Sequence, residues 1–392
     1  MDLQDRYPTV ADLRRKARRR VPHFVWEYLD SATGDETAHA RNMAALEAIR
    51  FHPAILKGPQ PSHLETKFLG QTYDAPFGVA PVGMAGLIWP GAEQYLARAA
   101  RDARQPYCLS TVATRLPEEI GPIAGEMGWF QLYPPSDPEI RRDIVRRAWA
   151  SGFRTLVMTV DLPAPSRRER QRKAGITLPP RVTPRILAQI VTKPAWAQGT
   201  LRNGTPRLRL VECYVDEKGP KGSLAHPGYI IRGAPDWDYL KTLRDEWAGH
   251  LIVKGVMDPT DARPLVDAGV DAVWVSNHSG RQFDGCRAAI DVLPDIRTLL
   301  PDTPLIFDSG VRGGLDVLRA LALGADFVML GRAFYYGVAA LGEAGGAHVI
   351  ELLRDDIASN LGQMGLPSPA GLRDKLVQVA HSAHGGGGAY GQ

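Results

Sequence analysis

A histidine and an arginine stand three residues apart in the segment SNHSGRQFDG, residues 276–285. His278 is able to take a proton near neutral pH, because the pKa of an unperturbed imidazole is about 6.5. Arg281 carries a planar, permanent positive charge that suits a carboxylate. The pair follows the apolar run at 271–275 almost directly. This spacing predicts a buried strand whose end presents a general base beside an anion-binding group.

Length and composition restrict the class of protein. A chain of 392 residues with 44% hydrophobic and 23% charged residues has the make-up of a globular protein with a large core. The net charge of +4, without a basic tract interleaved with aromatic residues, argues against a nucleic-acid partner. Its three cysteines have neither metal-ligand nor disulfide spacing, so we expect no metal site and a reducing, cytoplasmic location. We find no signal peptide in MDLQDRYPTV and no apolar stretch long enough to span a bilayer.

Short apolar runs closed by turn residues recur along the chain, with helix-like segments between most of them. They lie at 77–81, 107–110, 129–133, 155–161, 250–255, 272–277, 304–310 and 326–331. This alternation predicts a (β/α)8 TIM barrel over residues 71–365. A doubly wound sheet is the alternative, which the lack of a GxGxxG motif after the first strand disfavours. We expect an N-terminal helical extension at 1–70, an insertion at about 165–245 after the fourth strand, and a C-terminal segment with a glycine-rich tail at 366–392.

The carboxyl ends of barrel strands converge on one face, where barrel enzymes place their active sites. Every predicted strand ends in or beside a polar residue or a residue suited to a ligand. A single such residue has a plain structural reading, whereas the whole set predicts one functional site. The set is Pro81, Ser110, Gln131, Tyr133, Thr159, Asp161, Lys254, His278, Asp308, Gly331 and Arg332.

The last two predicted strands carry a phosphate-binding pattern. Gly310 and Gly331 allow the backbone to approach an anion, and Arg312 and Arg332 add charge-assisted hydrogen bonds. A pair of tight glycine turns with solvated arginines is the alternative. The repetition of glycine and arginine in adjacent loops favours a phosphate site.

These motifs resemble the FMN-dependent L-2-hydroxy acid oxidase and dehydrogenase family. SNHSGRQFDG is similar to the family's SNHGGRQLD signature, and VWEYLDSATGDE, APVGMAG, CLSTVAT, WFQLY, TVDLPAPSRRER, LIVKG and DSGVRGG follow in the family's order over almost the whole chain. LIWPGAEQYLARAA and KPAWAQGTLRNGTPRLR are most similar to membrane-associated (S)-mandelate and L-lactate dehydrogenases.

The resemblance implies a flavin mononucleotide at the barrel mouth, held by residues at the family's motif positions. It implies contacts of the flavin ring with Pro81, Val82, Gly83, Ser110, Gln131, Thr159 and Lys254. It implies that Asp308 binds the ribityl chain, with Ser276 and Ser309 also in the cofactor site, and that Gly310, Arg312, Gly331 and Arg332 bind the phosphate. The fixed charge of Lys254 would stabilise the anionic reduced flavin.

Oxidation of a 2-hydroxy acid also requires a base and a carboxylate clamp. We expect His278 to be the base, oriented by Asp161, and Arg281 and Arg168 to be the clamp. Tyr28 and Tyr133 would hydrogen-bond the carboxylate and the hydroxyl oxygen. Structural alternatives remain open. His278 could cap the end of its strand, and Tyr28 could belong to the hydrophobic core. Arg167 or Arg170 could take the place proposed for Arg168.

Two departures from the family pattern and two pocket residues bear on specificity. Ser279 replaces a usual glycine and DSATGDE replaces a GGA-type turn, so we expect altered loop packing before altered chemistry. At the position of Gly83, many dehydrogenases of the family have glycine and many oxidases have alanine, so the resemblance favours a dehydrogenase. Val112 leaves more room than the aromatic residue of glycolate-type relatives, which admits a lactate methyl or a mandelate phenyl.

The sequence leaves several alternatives for function and partners. An oxidase that makes hydrogen peroxide, a flavin enzyme for a bulkier acid and a non-redox phosphate-binding barrel remain open. For a dehydrogenase we expect a quinone or another electron acceptor and, by resemblance, a homo-oligomer, a tetramer. The basic residues of 165–210 predict peripheral contact with the inner face of the cell membrane, because apolar residues lie among them; a solvated positive loop is the alternative. These apolar residues are Ile186, Leu187, Ile190, Val191 and Trp196.

Overall fold

The chain forms a closed barrel of eight parallel strands in a computed structural model that describes residues 2–176, 183–214 and 233–377. The last barrel strand pairs with the first, with Val328 opposite Phe77, and this pairing closes the ring. The predicted (β/α)8 barrel is therefore confirmed, and the doubly wound sheet is excluded.

The barrel strands match the eight apolar runs of the sequence. A hairpin of β1 (Thr66–Phe68) and β2 (Gln71–Tyr73) precedes them. The barrel consists of β3 (Phe77–Val79), β4 (Tyr107–Ser110), β5 (Gly128–Leu132), β6 (Thr155–Thr159), β7 (His250–Val256), β8 (Ala272–Val275), β9 (Leu305–Phe307) and β10 (Phe327–Leu330).

Helices flank the barrel and precede it. Before it lie α1 (Leu3–Arg6), α2 (Val10–Arg20), α3 (His23–Asp30) and α4 (Thr37–Ala48). Between the strands lie α5 (Ala85–Ile88), α6 (Ala92–Asp102), α7 (Pro117–Ala124), α8 (Pro138–Ala150), α9 (Glu169–Lys173), α10 (Pro184–Val191), α11 (Pro194–Asn203), α12 (Arg209–Glu212), α13 (Trp237–Glu246), α14 (Pro259–Asp267), α15 (Ala289–Leu299) and α16 (Gly314–Ala322). After the last strand come α17 (Arg332–Leu341) and α18 (Ala344–Met364), and short 3-10 turns occupy Gly125–Met127, His278–Gly280 and Leu372–Lys375.

The hairpin closes the amino-terminal end of the barrel. Phe68 and Tyr73 pack against Phe327, with ring centroids 5.2 Å apart in both pairs. Trp129 fills the space beside them, and its indole nitrogen donates to the Tyr73 hydroxyl at 3.2 Å. Because large aromatic side chains fill this end, ligands have access only from the carboxyl-terminal end.

The N-terminal helices reach the carboxyl-terminal end and hold its loops. Asn42 of α4 and Asn277, which follows β8, exchange two amide hydrogen bonds of 2.8 Å each. The Ala289 N–H also donates to the Asn42 side chain, at 3.0 Å. Both asparagines are buried, so this network fixes the start of the loop that carries His278.

The inserted segment is helical where the structure describes it. It contains α9 to α12 and most of α13, while residues 177–182 and 215–232 lie outside the described residues, as does the tail beyond residue 377. The domain boundaries at 70 and 365 stay predictions. In the described part of the chain, no helix is both long and apolar enough to cross a bilayer.

The expected apolar side of the insertion is wrong at two positions. Ile186 of α10 is buried and is not part of an exposed side. Trp196 does not lie on an exposed apolar side, because it is 3% exposed and packs edge-on against Phe24, with centroids 6.0 Å apart. Its indole nitrogen donates to the Leu87 carbonyl at 3.0 Å. Trp196 therefore joins the insertion to the barrel and to α3. The sequence could not show this, because both partners are distant in the chain.

We expect the substitution Asn42→Ala to lower the free energy of unfolding by about 2 kcal/mol, because it leaves the buried amide of Asn277 without its partner. A shift of the urea unfolding midpoint to lower concentration measures the loss. Gln198→Ala, at an exposed position of α11, is the control and should leave the midpoint unchanged. An unchanged midpoint for Asn42→Ala would show that the amide pair does not stabilise the fold.

Candidate active site

A cleft of about 240 Å³ opens at the carboxyl-terminal end of the barrel. All but three of the residues predicted from the sequence line it. They are Tyr28, Pro81, Val82, Gly83, Gln131, Tyr133, Thr159, Arg168, Lys254, His278, Arg281, Asp308, Ser309, Gly310, Arg312, Gly331 and Arg332. The other three lie directly behind this wall. Asp161 contacts His278 at 3.1 Å, Ser110 contacts Gln131 at 2.8 Å, and Ser276 contacts Lys254 at 2.7 Å.

The imidazole of His278 is paired with the carboxylate of Asp161. The ring Nδ1 lies 3.1 Å from each carboxylate oxygen, so Nε2 is the ring atom left to accept a proton. Burial lowers the pKa of His278, opposed by the Asp161 charge and assisted by Lys254 and Arg168. Burial would raise the pKa of Asp161, yet it is lowered because the charge of His278 in its protonated form, the His278 hydrogen bond and the Lys254 charge outweigh that effect. At neutral pH the pair is thus a neutral imidazole beside an ionised carboxylate, which is the state a general base requires.

The turn that carries His278 has a left-handed backbone. His278 has φ 53° and Ser279 has φ 57°, a region that costs a non-glycine residue free energy unless its surroundings hold it there. The His278 N–H donates to the Ser276 hydroxyl and the Ser279 N–H donates to the Ser309 hydroxyl, both at 3.0 Å. The predicted cofactor residues Ser276 and Ser309 therefore also fix the position of the base.

Ser279 stands at a position where a glycine would adopt this backbone without strain. Its hydroxyl accepts a hydrogen bond from Arg332 Nη1 at 2.9 Å. The remaining nitrogens of Arg332 donate to the carbonyls of Leu29, at 3.1 Å, and Ser31, at 2.7 Å. The Arg332 side chain thus ties α3 to the His278 turn.

Two arginines face the same part of the cleft. Arg281 donates to the backbone carbonyl of Tyr28 at 3.0 Å and to those of Leu29 and Ser31 at 3.3 Å. Burial, followed by the charges of Arg168 and Arg332, lowers the pKa of Arg281. A guanidinium still stays protonated at neutral pH. Within the described ranges neither arginine has an ion pair with a carboxylate, so the two cations form a site that an incoming carboxylate would stabilise.

The structure distinguishes Arg168 from its neighbours in the run SRRER. Arg168 lies at the N-terminus of α9 with φ 47° and lines the cleft, and its Nε donates to Ser166 Oγ at 3.0 Å. Arg170 points away and forms ion pairs with Glu27 at 2.6 Å and Glu36 at 2.9 Å. Arg167 is exposed at the mouth of the cleft, 3.5 Å from Glu169. Arg168 is therefore the residue placed to share a ligand with Arg281.

Lys254 provides a buried positive charge at the end of β7. Its Nζ lies 2.9 Å from Asp308 and 2.7 Å from the Ser276 hydroxyl. Ser276 in turn donates to Asp308 at 2.5 Å. The lysine side chain is 4% exposed, so its charge is screened little by water.

Comparison with known proteins identifies the family. A family model described as FMN-dependent dehydrogenase matches residues 17–379. The chain belongs to that family. L-lactate dehydrogenase of Pectobacterium atrosepticum is 39% identical over 375 residues, which cover 94% of this chain and 96% of that protein. L-lactate dehydrogenase of Pseudomonas aeruginosa is 38% identical over 351 residues, 88% of this chain and 91% of that protein.

Solved structures of the same family share the fold. The monotopic membrane protein (S)-mandelate dehydrogenase superimposes with a TM-score of 0.87 at 33% identity and covers 95% of this chain and 99% of its own. A mandelate oxidase superimposes with a TM-score of 0.78 at 30% identity, over 95% of this chain and 98% of its own. The predicted resemblance to FMN-dependent 2-hydroxy acid enzymes is confirmed.

FMN is the cofactor of this family, and the cleft has the groups that its ring system requires. Within the described residues, Gln131 Nε2 and Thr159 Oγ1 are buried polar atoms without a hydrogen-bond partner. Buried polar groups are nearly always hydrogen-bonded, so two such atoms beside one cleft indicate a polar ligand. Gly310, with φ 97°, and Gly331 line the cleft together with Arg312, and their lack of a side chain lets the backbone approach a phosphate there. These residues fit FMN.

Sequence reasoning missed several residues of the cleft wall. Leu162 and Ile176 line it on the insertion side, and Arg172 lies at its mouth. Leu162 and Ile176 gave no signal, because a single apolar residue outside a periodic element predicts nothing about a ligand. Arg172 belongs to the basic run that begins at Arg167, but a basic run alone does not show which of its members faces a ligand.

We expect Asp161→Asn to lower kcat on a 2-hydroxy acid by a factor on the order of 10³, since the imidazolium formed during the reaction loses its counter-charge. In the native protein, kcat/KM should rise with pH as His278 deprotonates and level off above its lowered pKa. Loss of the Asp161 charge lowers the pKa of His278 further, so this rise should move to lower pH. Steady-state pH profiles measure both effects.

Asp302→Asn, which removes an exposed carboxylate before β9, is the control and should leave the profile unchanged. If the rise keeps its position in Asp161→Asn, the carboxylate does not act on His278.

Proposed function

We propose that this protein is an FMN-dependent dehydrogenase that oxidises an L-2-hydroxy acid of the lactate or mandelate class to the 2-oxo acid. The observation that carries the proposal is the convergence of the His278–Asp161 pair with Arg281 and Arg168 in one cleft. A base beside a double cationic clamp suits a substrate that has a proton to lose next to its carboxylate. The same cleft contains the unpartnered atoms of Gln131 and Thr159, which suit the polar edge of a flavin.

Each catalytic side chain has a role in this proposal. Arg281 and Arg168 bind the substrate carboxylate, and this fixes the hydroxyl-bearing carbon beside His278. His278 Nε2 takes the proton, and Asp161 stabilises the resulting imidazolium. Tyr28, whose hydroxyl donates to the Gly83 carbonyl at 2.9 Å, and Tyr133 hydrogen-bond the substrate oxygens. FMN, when bound, accepts the two electrons.

The cofactor-binding roles are proposed for the remaining predicted residues. Lys254 would stabilise negative charge on the reduced ring. The other ring-side residues are Pro81, Val82, Gly83, Ser110, Gln131 and Thr159, of which Ser110 acts through Gln131. Ser276, Asp308 and Ser309 serve the ribityl chain, and Gly310, Arg312, Gly331 and Arg332 serve the phosphate.

We propose a dehydrogenase in preference to an oxidase because glycine occupies position 83, where a larger side chain has little room. A Cβ built on Gly83 would lie 2.6 Å from Val112 Cγ2, so alanine does not fit without movement of Val112. The electrons would pass to a quinone or another acceptor of a respiratory chain. The side-chain wall of Val112, Leu162 and Ile176 is apolar and has no feature that selects a methyl over a phenyl group.

We also propose peripheral binding to the inner face of the cell membrane through 165–210. Leu187 and Val191, four residues apart on α10, are 52% and 70% exposed, and Leu201 of α11 is 85% exposed. Arg185 and Arg202 are exposed beside them. Apolar side chains flanked by cations suit an anionic lipid surface. One similar structure is described as a monotopic membrane protein, which supports the proposal. The homo-oligomer, a tetramer by resemblance, stays a prediction.

We expect the purified protein to be yellow and to bleach anaerobically when L-lactate or (S)-mandelate is added, with faster turnover by a dye acceptor than by oxygen. His278→Ala should keep the flavin and reduce it at least about 10³-fold more slowly, because proton transfer then lacks its base. Stopped-flow absorbance measures the reduction, and Asp302→Asn again provides the control.

Three results would contradict the proposal. A colourless protein that binds no FMN would favour a phosphate-binding barrel. Oxygen consumption that matches dye reduction would show an oxidase. Reduction of His278→Ala at the native rate would exclude His278 as the base.

We expect Leu187→Glu to weaken binding to vesicles of anionic phospholipid about tenfold, because it removes an apolar contact and adds repulsion. Leu299→Glu is a matched control, since Leu299 is 44% exposed on α15, outside the basic segment. Co-sedimentation with vesicles measures both. Equal loss in the two variants, or no binding by the native protein, would contradict the membrane proposal.

A further inference from the structure

The cleft contains more positive charge than the proposed reaction uses. Among the described residues that line it, the cations are Arg167, Arg168, Arg172, Lys254, Arg281, Arg312 and Arg332, and the only carboxylate is Asp308. Lys254 is paired with Asp308 at 2.9 Å. The proposed phosphate site accounts for Arg312 and Arg332, and the proposed substrate clamp accounts for Arg281 and Arg168. Arg167 has Glu169 at 3.5 Å. One cation, Arg172, has no anion assigned to it.

The acidic residues around α9 do not neutralise Arg172. Glu169 turns towards the N-terminal segment, where it accepts from the Gly34 N–H at 2.9 Å. Glu27 and Glu36 are taken by Arg170, at 2.6 and 2.9 Å. Within the described ranges, no carboxylate lies within salt-bridge distance of Arg172, which is exposed at the mouth. Its charge is therefore available to a ligand that enters the cleft.

The position of Arg172 relates it directly to the proposed clamp. Arg168 immediately precedes α9, and Arg172 lies four residues later in that helix. Both residues line the cleft, so this short segment brings two arginines to it, and Arg172 is the more exposed of the two.

Part of the cleft wall is apolar. Leu162 and Ile176 lie on the insertion side of the cleft, and Val112 lies on the barrel side. A methylene chain suits such a wall, and a charged group at the far end of that chain would reach the mouth. A guanidinium there would bind a carboxylate by charge-assisted hydrogen bonds.

We propose that Arg172 is a specificity-determining residue that binds a second carboxylate, carried on the side chain of the substrate. The preferred substrate class is then an L-2-hydroxy dicarboxylic acid, and simple 2-hydroxy acids are poorer substrates of the same site. The inference rests on the proposed function, because Arg281 and Arg168 must bind the first carboxylate for Arg172 to meet the second.

The test compares each dicarboxylic acid with the monocarboxylic acid that has a methyl group in place of the distal carboxylate. The pairs are L-malate with L-2-hydroxybutyrate, and L-2-hydroxyglutarate with L-2-hydroxypentanoate. For the FMN-loaded native protein, we expect kcat/KM to be about tenfold higher for the diacid of at least one pair. In Arg172→Gln that ratio should fall to about one.

Lys173→Gln is the matched control. Lys173 is the next residue of α9 and is exposed, and it is absent from the described wall of the cleft. Its substitution removes the same positive charge as Arg172→Gln does. The ratio should stay at its native value in this variant, which separates a local contact from a general effect of net charge.

The outcomes distinguish the two proposals. If no 2-hydroxy acid, L-lactate included, reduces the flavin, both are wrong. If L-lactate or the monoacids reduce it with no preference for either diacid, only the second-carboxylate site is wrong. That site is also wrong if Arg172→Gln and Lys173→Gln change the ratio equally. A ratio lost in Arg172→Gln and kept in Lys173→Gln supports the site.

Discussion

The contact between His278 and Asp161 is the interaction on which the rest of the site depends. Asp161 follows β6 and His278 follows β8, and β7 lies between these strands in the barrel. The two side chains meet at 3.1 Å across the end of β7, where the pairing of β7 with β8 shifts register between Lys254 and Val256. Burial of the imidazole favours its neutral form and Asp161 opposes that effect, so the pKa of His278 reflects mainly a balance between desolvation and the Asp161 charge. A change that loosens the barrel mouth would disturb both.

The second constraint is the backbone of the His278 turn. Its left-handed residues are held by hydroxyl groups of Ser276 and Ser309, and Ser276 also contacts Lys254 and Asp308. Base, buried lysine and the residues proposed for the ribityl chain therefore form one hydrogen-bonded network. In such a network the loss of one member leaves others unsatisfied. We infer that cofactor binding and the position of the base are coupled through these hydroxyls.

Much of this organisation was predictable from the sequence, and the exceptions share one cause. The strands, the barrel and the polar residues at strand ends follow from local patterns, because each strand is a short apolar run and the barrel brings all eight ends together. The choice of Arg168 over Arg170 is not local, since it depends on Glu27, which lies 143 residues earlier. The burial of Trp196 depends on Phe24 and Leu87 in the same way. A basic or aromatic residue in a long insertion keeps several possible environments until its distant partners are known.

The way in which Arg281 is held explains how a buried cation remains available to a substrate. Its hydrogen bonds go to the carbonyls of Tyr28, Leu29 and Ser31, which orient the guanidinium without cancelling its charge. A carboxylate in their place would form a stronger contact and would compete with the substrate for the same nitrogens. Burial, followed by the charges of Arg168 and Arg332, lowers the pKa of Arg281, and Tyr28 and Tyr133 oppose this only in part. An anionic ligand bound between the two arginines would relieve their repulsion. Any other arginine or lysine that faces the cleft without a carboxylate partner would likewise keep its charge for an anionic ligand.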